Sequence, residues 1–470
     1  MKSLFFKSEH KVTLLLVIFL LICNQSIFPN NKPSQKEELT KEFESSLQEY
    51  ILKQWYPRSI DSVEGGYFTE FNNDWEKPKN QPKMIVSQSR LIWTSSQAAL
   101  FYQDTSYIKY ARHGVNFLKN GMWDEKYGGY MSYYKNRGTG FGNDKSKQAY
   151  GNAFAIYGLS AYYMVTKNDD ALEMAKKCFY WLENHHHDSI YGGYLDRVNE
   201  DGSWPENRGN NGNPGFDPSK LKDYNSSIHL LEAFTSLYKV WPDPLVKVRL
   251  TEMLNLVRDT IVGEKGYEGL YFTQQWKHIS NRDLDEESIR QRSYMDHISF
   301  GHDVETAFLI LEASHALELK DDTFSLRIAK KLVNHSLKYG FNNEIGGFYD
   351  AGYYFKDREQ IEILNKDAQW WVQAEGLNAL LLMSEIFPEE KKYYLAFLKQ
   401  WDFVNQYVID KENGEWYSSG LNTNPKSKDG KKGSIWKVNY HNGRALMNCI
   451  DMLMGENEVA SHFKHVAEIK

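Results

Sequence analysis

The chain has 470 residues, of which 62 are acidic and 56 basic, while 41% are hydrophobic and 15% aromatic. A hydrophobic share of this size in so long a chain can bury a large core, which excludes global disorder and a disulfide-stabilised miniprotein. The net charge of −6 argues against a nucleic-acid-binding protein, because neutralising phosphates requires clustered basic residues. The three cysteines, Cys23, Cys178 and Cys449, match no zinc or disulfide framework.

The N-terminus has the pattern of an export signal. Three lysines precede the apolar run from Val12 to Cys23, which is too short to span a bilayer comfortably but fits a signal-peptide core. We therefore expect three segments: a signal peptide over residues 1–23, a polar linker over 24–36 and a single domain over 37–470. This pattern favours an exported protein, periplasmic or associated with the cell envelope. An uncleaved anchor and lipid attachment at Cys23 are less favoured alternatives, since bulky Ile22 fits a lipidation site poorly.

A short motif of glycine followed by aromatic residues recurs six times along the chain. The copies lie at Glu64–Phe68, Tyr127–Met131, Tyr191–Leu195, Tyr267–Phe272, Ile345–Asp350 and, more loosely, Asn413–Ser419. Glycine pairs flanked by tyrosine and phenylalanine are typical of tight hairpins, because glycine adopts positive φ and the aromatic residues favour short β segments. The sequence therefore predicts a repeated hairpin.

Between these motifs lie long stretches with apolar residues at three- and four-residue spacing, which is typical of helices. The clearest examples are Tyr150–Val165, Ile228–Trp241, Val304–Leu319 and Ala374–Phe387. Each unit therefore contains two helices and a hairpin, and it is longer than the common solenoid repeats. Six such units predict an all-α fold, an (α/α)6 barrel with an inner and an outer ring of helices and short β-hairpins joining the helix pairs. Closure of the ring is an inference from the count.

Polar and ionisable residues interrupt the apolar pattern at the start of five helical segments. These groups are Arg90 before Trp93 and Thr94, Asn225 with His229, His302 with Glu305, Gln373 and Glu375 after two tryptophans, and His441 with Arg444. Side chains three or four residues apart share one face of a helix. If each segment begins an inner helix, all five groups project into a common mouth of the barrel.

Each of these residues also has a purely structural interpretation. A single histidine at a helix start is more often a cap or a satisfied structural residue, and Asp303 beside His302 could form an N-terminal cap. Trp370 and Trp371 could be core packing. Recurrence at equivalent places in a repeated unit favours the functional interpretation. A metal site at His185–His187 is disfavoured, because consecutive side chains diverge on a helix or a strand.

Five ordered motifs carry a resemblance to a known family. They are ISFGHDVE (Ile298–Glu305), WWVQAEGL (Trp370–Leu377), YHNGRA (Tyr440–Ala445), KQAYGNAFAIYGL (Lys147–Leu159) and SRLIWT (Ser89–Thr94). In order and spacing they resemble the cellobiose 2-epimerase branch of the N-acylglucosamine 2-epimerase superfamily. The similarity runs from about Glu37 to the C-terminus, and five ordered motifs are far more specific than any one of them. The fold of that family is an (α/α)6 barrel, in agreement with the repeat count.

The resemblance implies reversible inversion at carbon 2 of the reducing-end sugar in β-1,4-linked disaccharides such as cellobiose or mannobiose. The ring opens, the proton beside the carbonyl is removed to give an enediolate, and a proton returns to the opposite face. This chemistry needs two acid/base groups on opposite sides of a flat intermediate, a task that suits histidine. No metal, nucleotide or other cofactor is implied. The implied partner is an oligosaccharide substrate, with no nucleic acid and no membrane partner beyond the signal segment, and the oligomeric state stays open.

The resemblance also implies roles for individual residues. His302 and His441 would be the acid/base pair, and Arg90 would stabilise the developing oxyanion. Glu305 would orient His302 or bind the sugar. The remaining matched positions are Asn225 and His229, for ring opening and the open-chain hydroxyls, and Tyr150, Trp371, Glu375 and Trp436, which line the sugar sites.

The chain departs from the family pattern at two positions. Phe308 stands where the family commonly has tryptophan, so it keeps an aromatic plane but loses the indole donor, and the substrate preference is open. Ser227 replaces a histidine that usually precedes His229. The export signal is also unexpected for enzymes usually found in the cytoplasm, and it indicates action on oligosaccharides outside the inner membrane.

Three other functions stay open at this stage. An aldose–ketose isomerase uses the same enediolate and returns the proton to carbon 1. A glycoside hydrolase or lyase on a similar barrel is less favoured, because hydrolases normally need two carboxylates flanking the scissile bond. A non-catalytic sugar-binding protein would keep its function after alanine replaces His302 and His441, whereas an epimerase would lose turnover and keep most of its binding.

Overall fold

A computed structural model describes residues 34–134, 145–206, 220–356 and 358–468. The predicted signal peptide lies outside these residues. The α-helices of the described residues are α1 (Gln35–Ser45), α2 (Lys53–Trp55), α3 (Ile85–Phe101), α4 (Ile108–Phe117), α5 (Ala149–Thr166), α6 (Asp169–His185), α7 (Tyr224–Val240), α8 (Pro244–Leu256), α9 (Glu286–Arg292), α10 (Phe300–Ala316), α11 (Thr323–Tyr339), α12 (Trp370–Ile386), α13 (Lys392–Tyr407), α14 (Tyr440–Met454) and α15 (Glu458–Glu468). Short π-helical segments, Ser46–Leu52, Leu118–Met122 and Val257–Ile261, follow α1, α4 and α8.

Six helices form a closed inner ring. In order around the ring they are α3, α5, α7, α10, α12 and α14, and α14 packs against α3. A second layer surrounds them, because α4, α6, α8, α11 and α13 each pack against the inner helix that precedes them, and α1 packs against α14. The predicted (α/α)6 barrel is therefore confirmed, including the closure that the repeat count alone could not establish.

The two layers differ in how their helices are buried. Helix α5 is buried along every residue from Ala149 to Tyr162, as expected for a helix that has neighbours on all sides. In the outer helix α6, by contrast, buried positions such as Ala171, Ala175 and Cys178 alternate with exposed ones at helical spacing. The apolar core therefore lies in the inner ring and between the two rings. Cys178 and Cys449 are both buried and free.

The six glycine motifs form hairpins, as predicted. Each is closed by an antiparallel bridge: Ile60–Tyr67, Trp123–Tyr130, His187–Tyr194, Val262–Glu268, Phe341–Phe348 and Ile409–Trp416. Gly128 and Gly129 have φ values of 72° and 73°, and a Cβ atom on Gly129 would lie 2.6 Å from the Trp181 ring. Both the turn and the packing therefore require glycine at this hairpin.

Short strands immediately precede three of the inner helices. Strand β1 (Lys147–Gln148) pairs antiparallel with β2 (Arg197–Val198), and β3 (Lys222–Asp223) pairs antiparallel with β4 (Tyr271–Phe272). A three-stranded antiparallel sheet follows the order β5 (Ile298–Ser299), β6 (Ala351–Tyr353) and β7 (Glu362–Asn365), with Ile298 opposite Gly352. Because β1, β3 and β5 lead directly into α5, α7 and α10, the strand pairing fixes where these inner helices begin.

The apolar stretches lie inside the inner helices, and three of them, which begin at Ile228, Val304 and Ala374, start four residues after the first residues of α7, α10 and α12. The polar segments that were expected to begin the inner helices occupy these first turns. The first turn of each of these helices carries polar or aromatic side chains that break the apolar period.

Within the described residues, no helix combines the length and the apolar character needed to cross a bilayer.

Candidate active site

The N-terminal ends of the six inner helices meet at one end of the barrel, which we call the mouth. Each inner helix places one predicted site residue there: Arg90 on α3, Tyr150 on α5, His229 on α7, His302 on α10, Trp371 on α12 and His441 on α14. Contacts between these side chains and their neighbours run from helix to helix around the ring. The structure therefore brings the predicted residues together, while their catalytic roles stay predictions.

Arg90 is held rigidly at the mouth. Its Nη2 donates to the Tyr150 hydroxyl over 3.0 Å, and its Nη1 donates to the Trp436 carbonyl oxygen over 3.1 Å. The guanidinium carbon lies 4.4 Å from the centre of the Phe154 ring. The Arg90 side chain is buried, so its charge acts in a medium that screens it weakly. The arrangement provides a fixed cation beside the histidines.

Arg444 lies deeper in the barrel and binds three carboxylates from three inner helices. Its Nη2 donates to Glu305 over 2.5 Å and to Glu375 over 2.7 Å, and its Nη1 donates to Glu232. The Tyr440 hydroxyl also donates to Glu232. All of these side chains are buried. Because three carboxylates face one guanidinium, the cluster carries excess negative charge that stabilises a positive charge on a nearby histidine.

Two of the site histidines are oriented by carboxylates of this cluster. The Nδ1 of His441 lies 2.6 Å from Glu375 Oε1, and the Nδ1 of His229 lies 2.9 Å from Glu232 Oε2. A carboxylate only accepts hydrogen bonds, so each ring carries a proton on Nδ1, and the neutral form of each ring has its free lone pair on Nε2. Burial, and then the charge of Arg90, hold the pKa of His441 well below its usual value. Both rings therefore offer Nε2 as a base.

His302 and His441 contact the same indole ring, that of Trp371. The Trp371 ring centre lies 4.5 Å from that of His302 and 5.9 Å from that of His441. The Nδ1 of His302 meets hydroxyls rather than a carboxylate, with Ser299 Oγ at 2.7 Å and the Tyr224 hydroxyl at 3.2 Å. Burial, and then the charges of neighbouring histidines, hold the pKa of His302 well below its usual value.

Glu305 does not orient His302, which was one of its two predicted roles. Its Oε1 accepts from Arg444 and lies 3.8 Å from the Nδ1 of His441. Ligand atoms of Glu305, Glu375 and His441 lie within 4.8 Å of one another, a spacing that a metal ion could bridge. The Arg444 guanidinium already donates to both carboxylates, however, so each of them is paired with a cation of the protein itself. The geometry is that of an ion-paired cluster.

The remaining predicted residues occupy the rim and the wall of the mouth. Trp436 is 47% exposed at the rim, and its backbone carbonyl holds Arg90. Asn225, the second residue of α7, is partly buried, and its side chain interacts with the Tyr150 hydroxyl. Phe308 is buried beneath the cluster, with the Arg444 guanidinium carbon 5.9 Å from its ring centre.

Several residues that complete the site had no predicted role, although the sequence had already placed Arg444 on one helix face with His441. Arg444 and Glu232 carried a usable signal, because each follows a site histidine by three residues on the same helix face. Tyr224 and Ser299 carried no signal in the sequence. They lie beside His302 because strand pairing fixes where α7 and α10 begin.

Side-chain amides dock three of the hairpins onto the inner helices. Gln88, Asn152 and Gln373 each occupy the fourth residue of an inner helix, and each bonds both the N–H and the C=O of one hairpin residue. In α10 the same position is Asp303, whose Oδ1 accepts from the Glu268 N–H over 2.9 Å. A carboxylate cannot donate the second bond. Burial and the Glu268 carboxyl raise the pKa of Asp303 well above its usual value.

We expect Asp303→Asn to make the protein more stable at alkaline pH. Burial also raises the pKa of Glu268 to about 8. The folded protein therefore holds protons on this pair that the unfolded chain releases above about pH 4, so stability falls as pH rises toward 8. Asparagine supplies the missing donor and removes one titration, and we expect a gain on the order of 2 kcal/mol at pH 9.

Chemical denaturation of this variant at pH 5 and pH 9 measures the effect. Asn152→Asp is the matched control, because it places a carboxyl at the equivalent contact between an inner helix and a hairpin. We expect this variant to lose stability as pH rises. A gain from Asp303→Asn that is the same at both pH values would contradict the titration.

Comparison with known proteins gives the family. The family model for N-acylglucosamine 2-epimerase (GlcNAc 2-epimerase) matches residues 66–444. The chain is 26% identical over 418 residues to the cellobiose 2-epimerase of Bacteroides fragilis, covering 89% of this chain and 99% of that protein. It is 25% identical over 406 residues to the D-mannose isomerase of Marinomonas mediterranea, covering 86% and 95% of the two chains.

A solved structure agrees with the family match. The cellobiose 2-epimerase from Bacillus thermoamylovorans superposes with a TM-score of 0.75 at 25% identity, over 88% of this chain and 99% of that one. The family match spans most of the chain and includes the start of every inner helix. The chain is therefore an enzyme of the N-acylglucosamine 2-epimerase family.

Proposed function

We propose that the enzyme catalyses reversible 2-epimerisation of the reducing-end sugar of β-1,4-linked disaccharides of the cellobiose and mannobiose type. The observation that carries the proposal is the pair His302 and His441, whose rings both contact Trp371 at the mouth. The two rings come from separate inner helices, α10 and α14. The similarity to named cellobiose 2-epimerases along nearly the whole chain supports the sugar class.

The reaction begins with opening of the sugar ring. Glu232 holds the Nδ1 proton of His229, so Nε2 of His229 is free to take the proton of the anomeric hydroxyl. His229 passes this proton to the ring oxygen O5 as the C1–O5 bond breaks, and the open-chain aldehyde forms. Asn225 lies one helical turn before His229 and is placed to bind the hydroxyls of the extended chain.

Inversion then follows at carbon 2. One histidine of the pair removes the C2 proton through Nε2, and the C–H electrons form the enediolate double bond while negative charge moves to O1. Arg90 stabilises that charge, because a fixed and buried cation needs no reorganisation as the charge develops. The second histidine, in its protonated form, returns a proton to C2 from the opposite face and the aldehyde is restored. The carboxylates around Arg444 favour the imidazolium form of His441 and offset part of the effect of its burial.

Incubation with cellobiose and with mannobiose in deuterated water tests the proposal. We expect the 2-epimer of at least one sugar, with deuterium at C2, because the transferred proton exchanges with solvent between the two histidines. NMR and chromatography identify the product and the labelled position. No deuterium exchange and no epimer with either sugar would refute the proposal.

The second candidate is aldose–ketose isomerisation, which the similarity to a D-mannose isomerase favours. The same enediolate gives a ketose if the proton is delivered to C1 instead of C2. Product analysis with free mannose and glucose beside the disaccharides separates the two activities. A ketose labelled at C1 as the main product would favour the isomerase.

We also propose that residues 1–23 direct export, because the lysine-rich start and the short apolar run have signal-peptide character. Expression of the full chain in a bacterial host, followed by fractionation and mass analysis of the N-terminus, tests this. A processed chain in the exported fraction supports it, whereas an intact chain confined to the cytoplasm contradicts it.

A further inference from the structure

The two histidines at the mouth differ in what holds their Nδ1 atoms. His441 is held by the Glu375 carboxylate at 2.6 Å, and that carboxylate also accepts from Arg444. His302 is held by two hydroxyls, those of Ser299 and Tyr224. Hydroxyls are neutral, so they fix the orientation of a ring without stabilising its positive charge as a carboxylate does.

The Ser299 hydroxyl contacts the side chain of His302 rather than a backbone N–H of α10. It is the N-cap residue of α10, a position at which serine usually accepts a backbone N–H from the first turn. In α10 its side chain makes no such bond, and its Oγ lies 2.7 Å from the Nδ1 of His302. The N-cap of α7, Asp223, does accept a backbone N–H, from Ser226. The different use of the cap in α10 points to a role for the Ser299 hydroxyl at the imidazole.

Tyr224 holds His302 from a different helix. It is the first residue of α7, its hydroxyl lies 3.2 Å from the Nδ1 of His302, and the two rings meet edge to face with centres 4.7 Å apart. Trp371 contacts the same imidazole, with ring centres 4.5 Å apart. Within the described parts of the chain, the Nδ1 of His302 is the only hydrogen-bond partner of the Tyr224 and Ser299 hydroxyls. The imidazole is therefore fixed in both position and rotation.

We propose that Ser299 and Tyr224 are positioning residues whose hydroxyl oxygens receive the Nδ1 proton of His302, turn its Nε2 toward the mouth, and leave His302 the weaker proton acceptor of the histidine pair. The proposal rests on the proposed epimerase function. Unequal proton acceptors suit this reaction, because inversion needs one neutral histidine and one protonated histidine at the same time. A carboxylate that contacts the Nδ1 of His441 and hydroxyls that contact the Nδ1 of His302 favour a state in which one histidine is protonated and the other is neutral.

The charged surroundings of His302 are consistent with this role. The titratable and charged groups that face it are Tyr224, His229, His297, His441 and Arg90. These groups are neutral or positive, and with burial they oppose protonation of the ring. The Asp303 carboxyl next to it in sequence is bonded to the Glu268 hairpin instead.

The test compares three variants: Ser299→Ala/Tyr224→Phe, Tyr224→Phe alone and Ser299→Asp. For the double variant we expect kcat for epimerisation to fall on the order of 10- to 100-fold with KM within about threefold, because a freely rotating imidazole is misplaced but the sugar contacts remain. Tyr224→Phe should fall in the same direction by less. Ser299→Asp replaces the hydroxyl with a carboxylate and should raise the pKa of His302 by about 1 to 3. The acid limb of the kcat/KM profile should then move to higher pH.

The pKa of His302 is measured by NMR titration of histidine labelled with 13C at Cε1, and its signal is assigned by its loss in His302→Asn. This titration needs no turnover, so it tests the hydroxyl contacts even if the wild-type protein epimerises no sugar. If the double variant does not fold, Ser299→Asp still tests the proposal. We expect it to fold because aspartate is a favoured N-cap residue. The proposal is overturned if the double variant keeps kcat within twofold of wild type, or if the His302 titration is unchanged in Ser299→Asp.

Discussion

Replacing His441 with asparagine is expected to slow epimerisation strongly but to leave hydrogen exchange at C2 of one epimer. The remaining His302 can still remove the C2 proton of the sugar whose C2–H bond faces it, and it returns a solvent proton to the same face. His302→Asn should show the reciprocal pattern and exchange only the other epimer. The epimerisation rate should fall about 10²- to 10⁴-fold in each variant, the usual contribution of a positioned acid or base.

Proton NMR of each disaccharide and its 2-epimer in deuterated buffer measures both processes in one experiment. Loss of the C2 proton signal reports exchange, and appearance of the other epimer reports inversion. The matched control is His465→Asn, because His465 lies exposed on α15, and its rates should equal those of wild type. Exchange of the same epimer by both site variants, or epimerisation within tenfold of wild type in either one, would exclude opposed histidines.

The sequence predicts the architecture well because each repeated unit is specified by residues that are close together in the chain. Glycine pairs specify the hairpins, and three- and four-residue apolar spacing specifies the helices between them. Ring closure is a property of many distant contacts, such as those of α14 with α3, and it could be inferred only from the number of units. The apolar spacing alone does not reach the first turns of α7, α10 and α12, since mouth residues replace the apolar ones there.

The site was predicted residue by residue, but its connections were not. The motifs identify His302, His441 and Arg90. They do not reveal that one carboxylate oxygen of Glu375 accepts hydrogen bonds from both His441 and Arg444. That contact joins side chains that are 66 and 69 residues apart in the sequence. Helical periodicity reports neighbours within one helix only. Contacts between inner helices depend on the rotation of each helix about its axis, which a single sequence does not specify.

Arg444→Met is expected to be the most destabilising single substitution at the mouth, at a cost of about 3 to 5 kcal/mol. Methionine fills much of the same volume but leaves Glu232, Glu305 and Glu375 buried without their cation. Denaturation followed by tryptophan fluorescence and circular dichroism measures the change in the free energy of unfolding. Arg290→Met is the surface control, because Arg290 makes two ion pairs but is 41% exposed, and it should cost less than about 1 kcal/mol.

The pH dependence of this loss identifies its cause. The Arg444 charge and the His229 contact hold the pKa of Glu232 at about 2, below its unfolded value, although burial opposes them. The stabilisation from this carboxylate is therefore fully present above about pH 4.5 and is lost as pH falls toward 2. In Arg444→Met the buried carboxyls should instead take up protons and become neutral. The difference in stability between wild type and variant should then be largest near pH 7 and shrink in acid.

A second substitution separates charge from packing. Adding Glu305→Gln to Arg444→Met removes one of the unpaired charges with little change in volume, so it should recover part of the lost stability at pH 7. In the wild-type background the same glutamine removes one of the negative charges that pair with Arg444, and it should be destabilising. This reversal of sign is the signature of a buried charge imbalance. If Arg444→Met costs the same at pH 4 and pH 7, and Glu305→Gln fails to rescue it, the loss is one of packing and the carboxylates are not the reason that an arginine lies at this position.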